Sequence, residues 1–351
     1  MKVDLASLLR PHLLKLQPYT SARDEYSGSE GVFLDANENP FGSITEADYN
    51  RYPDPYQSAL KSEIAQIKGC EPAQIFLGNG SDEAIDLLFR AFCNPGKDNV
   101  ILLPPTYGMY GVSASINNVE IRNIALTPDF QLQPEKILAA TDAQSKILFI
   151  CSPNNPSGNA MKREDIYFLL DHFPGIVVVD EAYIDFSSEP SLIQVLEKFP
   201  NLLVMQTFSK AWGLASLRLG MAFASPKLIA ILNQIKPPYN ISGLTQDTVL
   251  AGLKNKVKVN EFIEKILQER SYLRQELEKL PFILHIHPSD ANFLLVQVPD
   301  ANHFYEGLIQ EKVIVRNRST VLHCEGCLRI TVGTRDETLA LLQAFEKIAT
   351  N

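Results

Sequence analysis

Lys210 is the residue whose type and setting most invite chemistry. It stands in Thr207-Phe208-Ser209-Lys210-Ala211-Trp212-Gly213, straight after the apolar run Leu202-Leu203-Val204-Met205, with Arg218 eight residues on. A short apolar run of this kind reads as a buried strand. A lysine just past its end is expected to be half-buried. Desolvation disfavours the ammonium, lowers its pKa and makes the amine a nucleophile. Hydroxyls on either side (Thr207, Ser209) and the guanidinium of Arg218 suit a dianionic phosphate. An amine beside such a site matches the needs of a Schiff base to pyridoxal phosphate. Taken alone, Lys210 reads equally as a solvated surface charge.

Four further stretches bear on this. Gly78-Asn79-Gly80-Ser81-Asp82-Glu83 follows an apolar run and opens a helix. Its glycines let a ligand approach the backbone, and the helix N-terminus offers free N–H groups to a phosphate. An ordinary capped helix start fits the same residues. No Gly-Lys-Ser/Thr follows, so this is not a nucleotide P-loop. Tyr107, in Pro104-Pro105-Thr106-Tyr107-Gly108-Met109-Tyr110, sits where a strand meets a loop and could stack on a flat ring, or simply pack the loop. Asn155, in Ser152-Pro153-Asn154-Asn155-Pro156-Ser157-Gly158, is presented by a loop stiffened by two prolines, which also reads as a plain turn. Asp180 comes directly off Val177-Val178-Val179, where a carboxylate needs a partner such as a pyridinium N–H. Tyr183 follows three residues on and could reach a phenolic oxygen of the same ring. The adjacent Asp180-Glu181 pair also reads as a magnesium-binding acid pair.

The elements that must hold these residues are visible as a pattern. Seven apolar runs alternate with helices: Ile75–Leu77, Val100–Leu103, Val119–Ile124, Ile147–Cys151, Ile176–Val179, Leu202–Met205 and Leu219–Phe223. Helices are expected at 58–67, 83–92 and 163–172. This is an α/β pattern with a mainly parallel, seven-stranded sheet. Beyond Pro237-Pro238, read as a hinge, come a long helix over 256–280, strands at 282–287, 293–298, 313–315 and 328–332, and a last helix over 336–349. That gives a smaller α+β domain. The expected division is an N-terminal arm over 1–31, a large domain over 32–238 and a small domain over 239–351. In the small domain Arg316 and Arg329 stand thirteen residues apart. Arg329 lies in an apolar strand and requires an anion, either a structural carboxylate or a substrate.

Bulk properties narrow the class. The chain has 351 residues, more than one core usually serves, with 45% hydrophobic and 21% charged residues, as in a soluble enzyme. A net charge of −9 without any basic run argues against nucleic acid or an anionic membrane as partner. The first 17 residues mix charges with leucines and are not expected to form a signal peptide, and no apolar run is long enough to span a bilayer. Five dispersed cysteines suit reduced thiols in the cytoplasm. Cys324-Glu325-Gly326-Cys327 has the spacing of a zinc or redox pair, but no second ligand pair lies nearby and no metal site is expected.

In order along the chain, GNGSDE, PTYGMY, SPNNPSG, VVVDEAY, TFSKAWGLASLRLG and LRITVG resemble the class I/II aminotransferases of pyridoxal phosphate fold type I. The similarity covers nearly the whole chain. Pro18–Arg23, Asp35–Pro40, Arg51–Asp54 and the Arg316/Arg329 pair are most similar to the histidinol-phosphate aminotransferase subfamily. The resemblance implies pyridoxal 5'-phosphate as cofactor, with Lys210 bonded to it and moving the proton. Asp180 would pair with the pyridine nitrogen, Tyr183 and Asn155 with the ring oxygen, and Tyr107 would stack on the ring. Ser81, Asp82, Thr207, Ser209 and Arg218 would hold the phosphate. Tyr52 would reach in from a second subunit, making a homodimer. Tyr19, Asn155, Arg316 and Arg329 are the implied substrate contacts. The implied reaction exchanges the amino group of L-histidinol phosphate with 2-oxoglutarate in histidine biosynthesis. Threonine-phosphate decarboxylases and aromatic aminotransferases are similar in motif and remain alternatives.

Overall fold

A computed structural model describes residues 4–19 and 30–350. All seven expected runs form strands: β1 (Ile75–Asn79), β2 (Asn99–Leu102), β3 (Glu120–Asn123), β4 (Ser145–Cys151), β5 (Ile176–Asp180), β6 (Leu202–Thr207) and β7 (Leu219–Ala224). They build one sheet in the order β1-β7-β6-β5-β4-β2-β3. Only β7 runs against the rest, pairing antiparallel with both β1 and β6. The runs are continuous rather than alternating because both faces of the sheet are covered. Ile75, Leu77, Val177 and Val179 belong to one core, with the helices Ser58–Lys68 and Arg163–His172. Phe76, Ile176 and Val178 belong to the other, with the helices Ser81–Phe92 and Pro226–Ile235. The period-2 alternation of a strand sends neighbouring residues to opposite cores.

The direction of β7 sets the geometry of the site. β6 ends at Thr207, the chain turns through 208–218, and β7 returns antiparallel beside it. Arg218 therefore lies at the same sheet edge as Ser209 and Lys210. In β1, Asn79 is opposite Leu219, which brings Gly80 and the following helix to that edge too. The turns after β2, β4 and β5 emerge there by the parallel arrangement, and the carboxyl end of such a sheet is where ligands bind.

The later part of the chain forms an antiparallel sheet of β8 (His285–Ile286), β9 (Phe293–Gln297), β10 (Arg316–Asn317) and β11 (Cys327–Thr331), in the order β10-β11-β9-β8. The long helix Lys256–Leu277 and the C-terminal helix Arg335–Ala349 close a third core on it. Two expectations need correction here. The strand expected over 313–315 is instead a short pairing at 316–317. Val315 is buried and Val313 partly so, but in an irregular segment that packs on the third core while the polar residues after it make the ladder. The strand expected over 282–287 is confined to two residues, because Phe282 and Ile283 pack on the same core without strand pairing.

Near the N-terminus, Pro11 divides the leucine-rich start of the arm into a helix over Leu5–Leu8 and a 3-10 turn over Pro11–Lys15. Leu5, Leu8, Leu9 and Leu13 join the second core, and Arg10 N donates to Ala91 O at 2.9 Å. Among the described residues, no helix is long and apolar enough to cross a membrane.

Candidate active site

A cavity of ≈ 160 Å³ opens at the carboxyl edge of the large sheet, lined by Ser81, Asp82, Tyr107, Asn155, Asp180, Tyr183, Thr207, Ser209, Lys210 and Arg218 among others. Ten residues singled out from the sequence thus converge on one enclosed space. Two hollows of larger volume elsewhere, ≈ 830 and ≈ 850 Å³, gather none of them.

At one end the cavity is built for an anion. The helix Ser81–Phe92 starts from Gly80, at φ 72°, and has no side-chain cap, so its first N–H groups face the cavity unclaimed by a cap. Two glycines are required here. A Cβ on Gly220 would lie 2.1 Å from Ser81 N, and Gly80, at φ 72° and ψ 168°, holds a backbone conformation that L side chains rarely adopt. Gly80 N donates to Arg218 O at 2.6 Å, which holds Arg218 in a left-handed backbone conformation (φ 52°, ψ 39°). The Arg218 guanidinium is 3.8 Å from Asp82 Oδ2, a half-exposed pairing that contributes little and that a dianion can outcompete. Thr207 Oγ1 accepts from Ser209 N at 3.1 Å and lies 2.9 Å from Ser209 Oγ, fixing the turn that carries both hydroxyls.

At the other end lies Asp180, 4% exposed. Its Oδ2 accepts from the hydroxyl of Tyr110 at 2.6 Å and its Oδ1 from Ala182 N at 3.1 Å. Burial pushes the carboxyl up, opposed by the Tyr110 and Ala182 hydrogen bonds. Glu181 faces the other way. It accepts from Leu192 N, Ser191 Oγ and Gln206 Nε2, so the two acids do not converge on one ion. Tyr110 is a residue to which the sequence alone assigns no role. It is fully buried, stacked on Phe149 with ring centroids 4.7 Å apart, and set edge-on to Tyr107 at 5.5 Å. The one local signal for it is its spacing three residues after Tyr107, at the start of the helix Met109–Ile116.

Lys210 lines the cavity at its mouth, its residue surface partly open to solvent and its amine partly desolvated. Its amine sits 5.7 Å from the centre of the Tyr183 ring. Desolvation lowers its pKa and the charges of Arg329 and Arg218 add to this, against Asp180 and Asp82. Asn154 and Asn155 divide their work. Asn154 is buried and ties the loop to Pro105 O at 2.9 Å and to Ser157 Oγ at 2.8 Å. Asn155 faces the cavity, donating to Tyr183 OH at 3.4 Å and accepting from Arg329 Nη1 at 2.6 Å. Arg329 therefore reaches the site from the antiparallel sheet. Arg316 stands opposite it on β10 and is exposed.

Tyr19 and Tyr52 do not join this cavity within the chain. Tyr19 is 75% exposed beside Arg10 and Arg90, and Tyr52 is stacked on Tyr239 at 4.5 Å, each in one of the two larger hollows. Both belong to irregular segments that run over the surface. Thr20–Arg23 of the N-terminal motif lie outside the described residues. Cys324 and Cys327 are buried thiols, pushed up by burial to about 12 and about 11. Cys327 Sγ approaches His287 Nε2 at 4.0 Å, while His323 Nε2 meets Leu126 O at 3.2 Å.

Residues 31–345 match the family described as aminotransferase class I and II. A histidinol-phosphate aminotransferase of Cytophaga hutchinsonii is 52% identical over 346 residues, covering 99% of both chains. One from Parabacteroides distasonis is 52% identical over 345 residues, covering 98% of this chain and 99% of its own. In fold, the chain is similar to the histidinol-phosphate aminotransferase of Sinorhizobium meliloti solved with pyridoxal-5'-phosphate. The TM-score is 0.77 at 22% identity, with 97% of each chain covered.

Proposed function

The chain belongs to the class I and II aminotransferases, and on that premise we propose that it exchanges an amino group between L-histidinol phosphate and 2-oxoglutarate, with pyridoxal 5'-phosphate as cofactor, as a step of histidine biosynthesis. The observation that carries the chemistry is the convergence of an amine, a buried carboxylate and an anion cradle in one cavity. The substrate follows from relatives of that name at about half identity over the full length.

The residues fit the cofactor group by group. The free N–H groups after Gly80, the Thr207 and Ser209 hydroxyls and Arg218 take the phosphate. Asp180 has one donor on each oxygen and keeps acceptor capacity for a ring N–H. Asn155 and Tyr183 are close enough to share one ring oxygen, and Tyr107 flanks a flat ring. When bound, the cofactor supplies an electron-accepting ring that makes the substrate's α-carbon acidic. Lys210 Nζ, at the cavity mouth, would be the base that takes the substrate's α-proton and holds it for return. Its lowered pKa enlarges the neutral, proton-accepting fraction near neutral pH. Asp180, ionised, holds the ring N–H and so keeps the ring electron-poor. Arg329, with Arg316, binds the substrate's anionic end.

In the same proposal, residues 1–31 serve as an arm, 32–238 as the cofactor domain and 239–351 as a smaller domain that carries Arg316 and Arg329. The enzyme is a cytoplasmic homodimer in which Tyr52 reaches the neighbouring site, and Tyr19 is a substrate contact. The exposure of Val32, Leu34, Phe41 and Ile44 (87–107% for the four) supports a second copy covering this segment. Glutamate formation from histidinol phosphate and 2-oxoglutarate by the cofactor-loaded protein tests the function. Absence of turnover with this pair, alongside turnover with another amino donor, would overturn the substrate.

A further inference from the structure

Just past the strand pair that carries Arg329 stands a third arginine, Arg318, that no motif pointed to. β10 and β11 pair with Arg316 opposite Arg329, and the ladder continues one step further, Arg318 N donating to Cys327 O at 2.9 Å. Strand alternation then places Arg316 and Arg318 on the same face as Arg329. Arg329 spends one nitrogen on Asn155 Oδ1, and its guanidinium lies 5.2 Å from the centre of the Phe293 ring. Its Nε is buried without a hydrogen-bond partner, and so is the Nε of Arg318. Among the described residues, no carboxylate pairs with Arg316, Arg318 or Arg329. This holds in a chain with 41 acidic and 32 basic residues, where carboxylates are plentiful. Burial lowers the Arg329 pKa, and Arg318 followed by Arg316 lower it further, which places the three charges within electrostatic reach of one another. A partly buried guanidinium with an unpartnered nitrogen, beside two further arginines and no acid, is a favourable place for an anion.

We propose that Arg318 is a third anion-binding arginine of the substrate pocket, and that it biases the pocket toward a dianionic phosphate over a carboxylate. This rests on the function proposed above. The pocket accepts in turn a substrate ending in a phosphate and one ending in a carboxylate. Arg329 and Arg316 suffice for the single charge of a carboxylate. A phosphate has three oxygens and nearly two charges, and uses a third guanidinium. Because Arg318 is only partly exposed, a charge-assisted hydrogen bond from its guanidinium to the phosphate is worth more than a surface ion pair.

The test measures each half-reaction of the holoenzyme, with histidinol phosphate and with glutamate, for the wild type, Arg318→Gln and Arg318→Lys. Inorganic phosphate serves as a competitive inhibitor of the glutamate reaction. Arg318→Gln is expected to lower kcat/KM for histidinol phosphate by about 10- to 100-fold, the worth of one charge-assisted hydrogen bond. The loss for glutamate is expected to be smaller, so that the ratio of the two shifts by about tenfold, with phosphate inhibition weakening in parallel. Arg318→Lys keeps the charge without the planar fork and should fall between. Equal losses for both substrates, or unchanged phosphate inhibition, would overturn the proposal. If Arg318→Gln fails to fold, Arg318→Lys must show the ratio shift by itself. A wild type that ignores histidinol phosphate would instead refute the substrate reading, and phosphate inhibition of the glutamate reaction would still decide the part played by Arg318.

Discussion

Replacing Tyr110 by Phe removes one atom from the best-defined polar contact of the site. The Tyr110 hydroxyl donates to Asp180 Oδ2 at 2.6 Å, while Ala182 N serves the other oxygen. Phe keeps the ring that stacks on Phe149 at 4.7 Å, so packing is largely preserved. What is lost is half of the donors to a buried carboxylate, about 2 kcal/mol for a hydrogen bond to a charged group. The sign with pH follows from linkage. Burial has already raised the folded-state pKa of Asp180, so the native chain holds this proton at pH values where the unfolded chain has released it. Stability from this group is therefore greatest at low pH and is lost as pH rises through the raised value. Tyr110→Phe raises that value further. Above both folded values the carboxylate is ionised in both proteins and the full penalty shows. Below them it is protonated in both, and only a weaker neutral hydrogen bond separates the two. Thermal unfolding of the cofactor-free proteins should give a variant Tm lower by roughly 2–5 °C at pH values above the raised pKa, with the gap closing as the pH falls through it toward the ordinary carboxylate range. A gap independent of pH would refute the pairing of this hydroxyl with an ionised Asp180.

Further outcomes follow from the same geometry. Lys210→Ala should lose on the order of 10³-fold or more in turnover and lose covalent attachment of the cofactor on borohydride reduction, with an unchanged circular dichroism spectrum; substantial remaining turnover would remove Lys210 from the chemistry. Gly220→Ala places a Cβ 2.1 Å from Ser81 N, so the Gly80–Ser81 backbone must shift; we expect weakened cofactor binding by equilibrium dialysis and a cost of about 1–3 kcal/mol in stability, and wild-type affinity would show that the cradle does not hold the phosphate. Arg329→Lys cannot reproduce the fork on Asn155 and a substrate anion together, so KM for both substrates should rise by about tenfold or more, and an unchanged KM would place the substrate anion elsewhere.

The sheet and the cavity were legible in the sequence because each depends on a local signal. Runs such as Ile147–Cys151 and Ile176–Val179 are buried on both faces and must be apolar throughout. The cavity-lining groups sit within a few residues of the strand ends that present them, as Asp180 does on β5 and Ser209 and Lys210 do after β6. What was not legible depends on how distant segments meet. Tyr110 gains its function from Asp180, 70 residues away. The place of Arg318 beside Arg329 depends on a strand pairing only two residues long and on one further hydrogen bond to Cys327. Val313 and Val315 are as apolar as a strand, yet they pack from an irregular segment, and burial alone does not tell the two apart.

The most direct test of the central claim is a single half-reaction. Purified, pyridoxal-phosphate-loaded protein is mixed separately with histidinol phosphate, phenylalanine and O-phosphothreonine, and the cofactor's absorption band is followed. Rapid, complete conversion to the amino form of the cofactor with histidinol phosphate, and slow or no conversion with the other two, is the predicted result. Faster conversion with phenylalanine, or carbon dioxide release from O-phosphothreonine, would contradict the substrate, and the absence of any lysine-bound cofactor band would contradict the chemistry assigned to Lys210 and everything built on it.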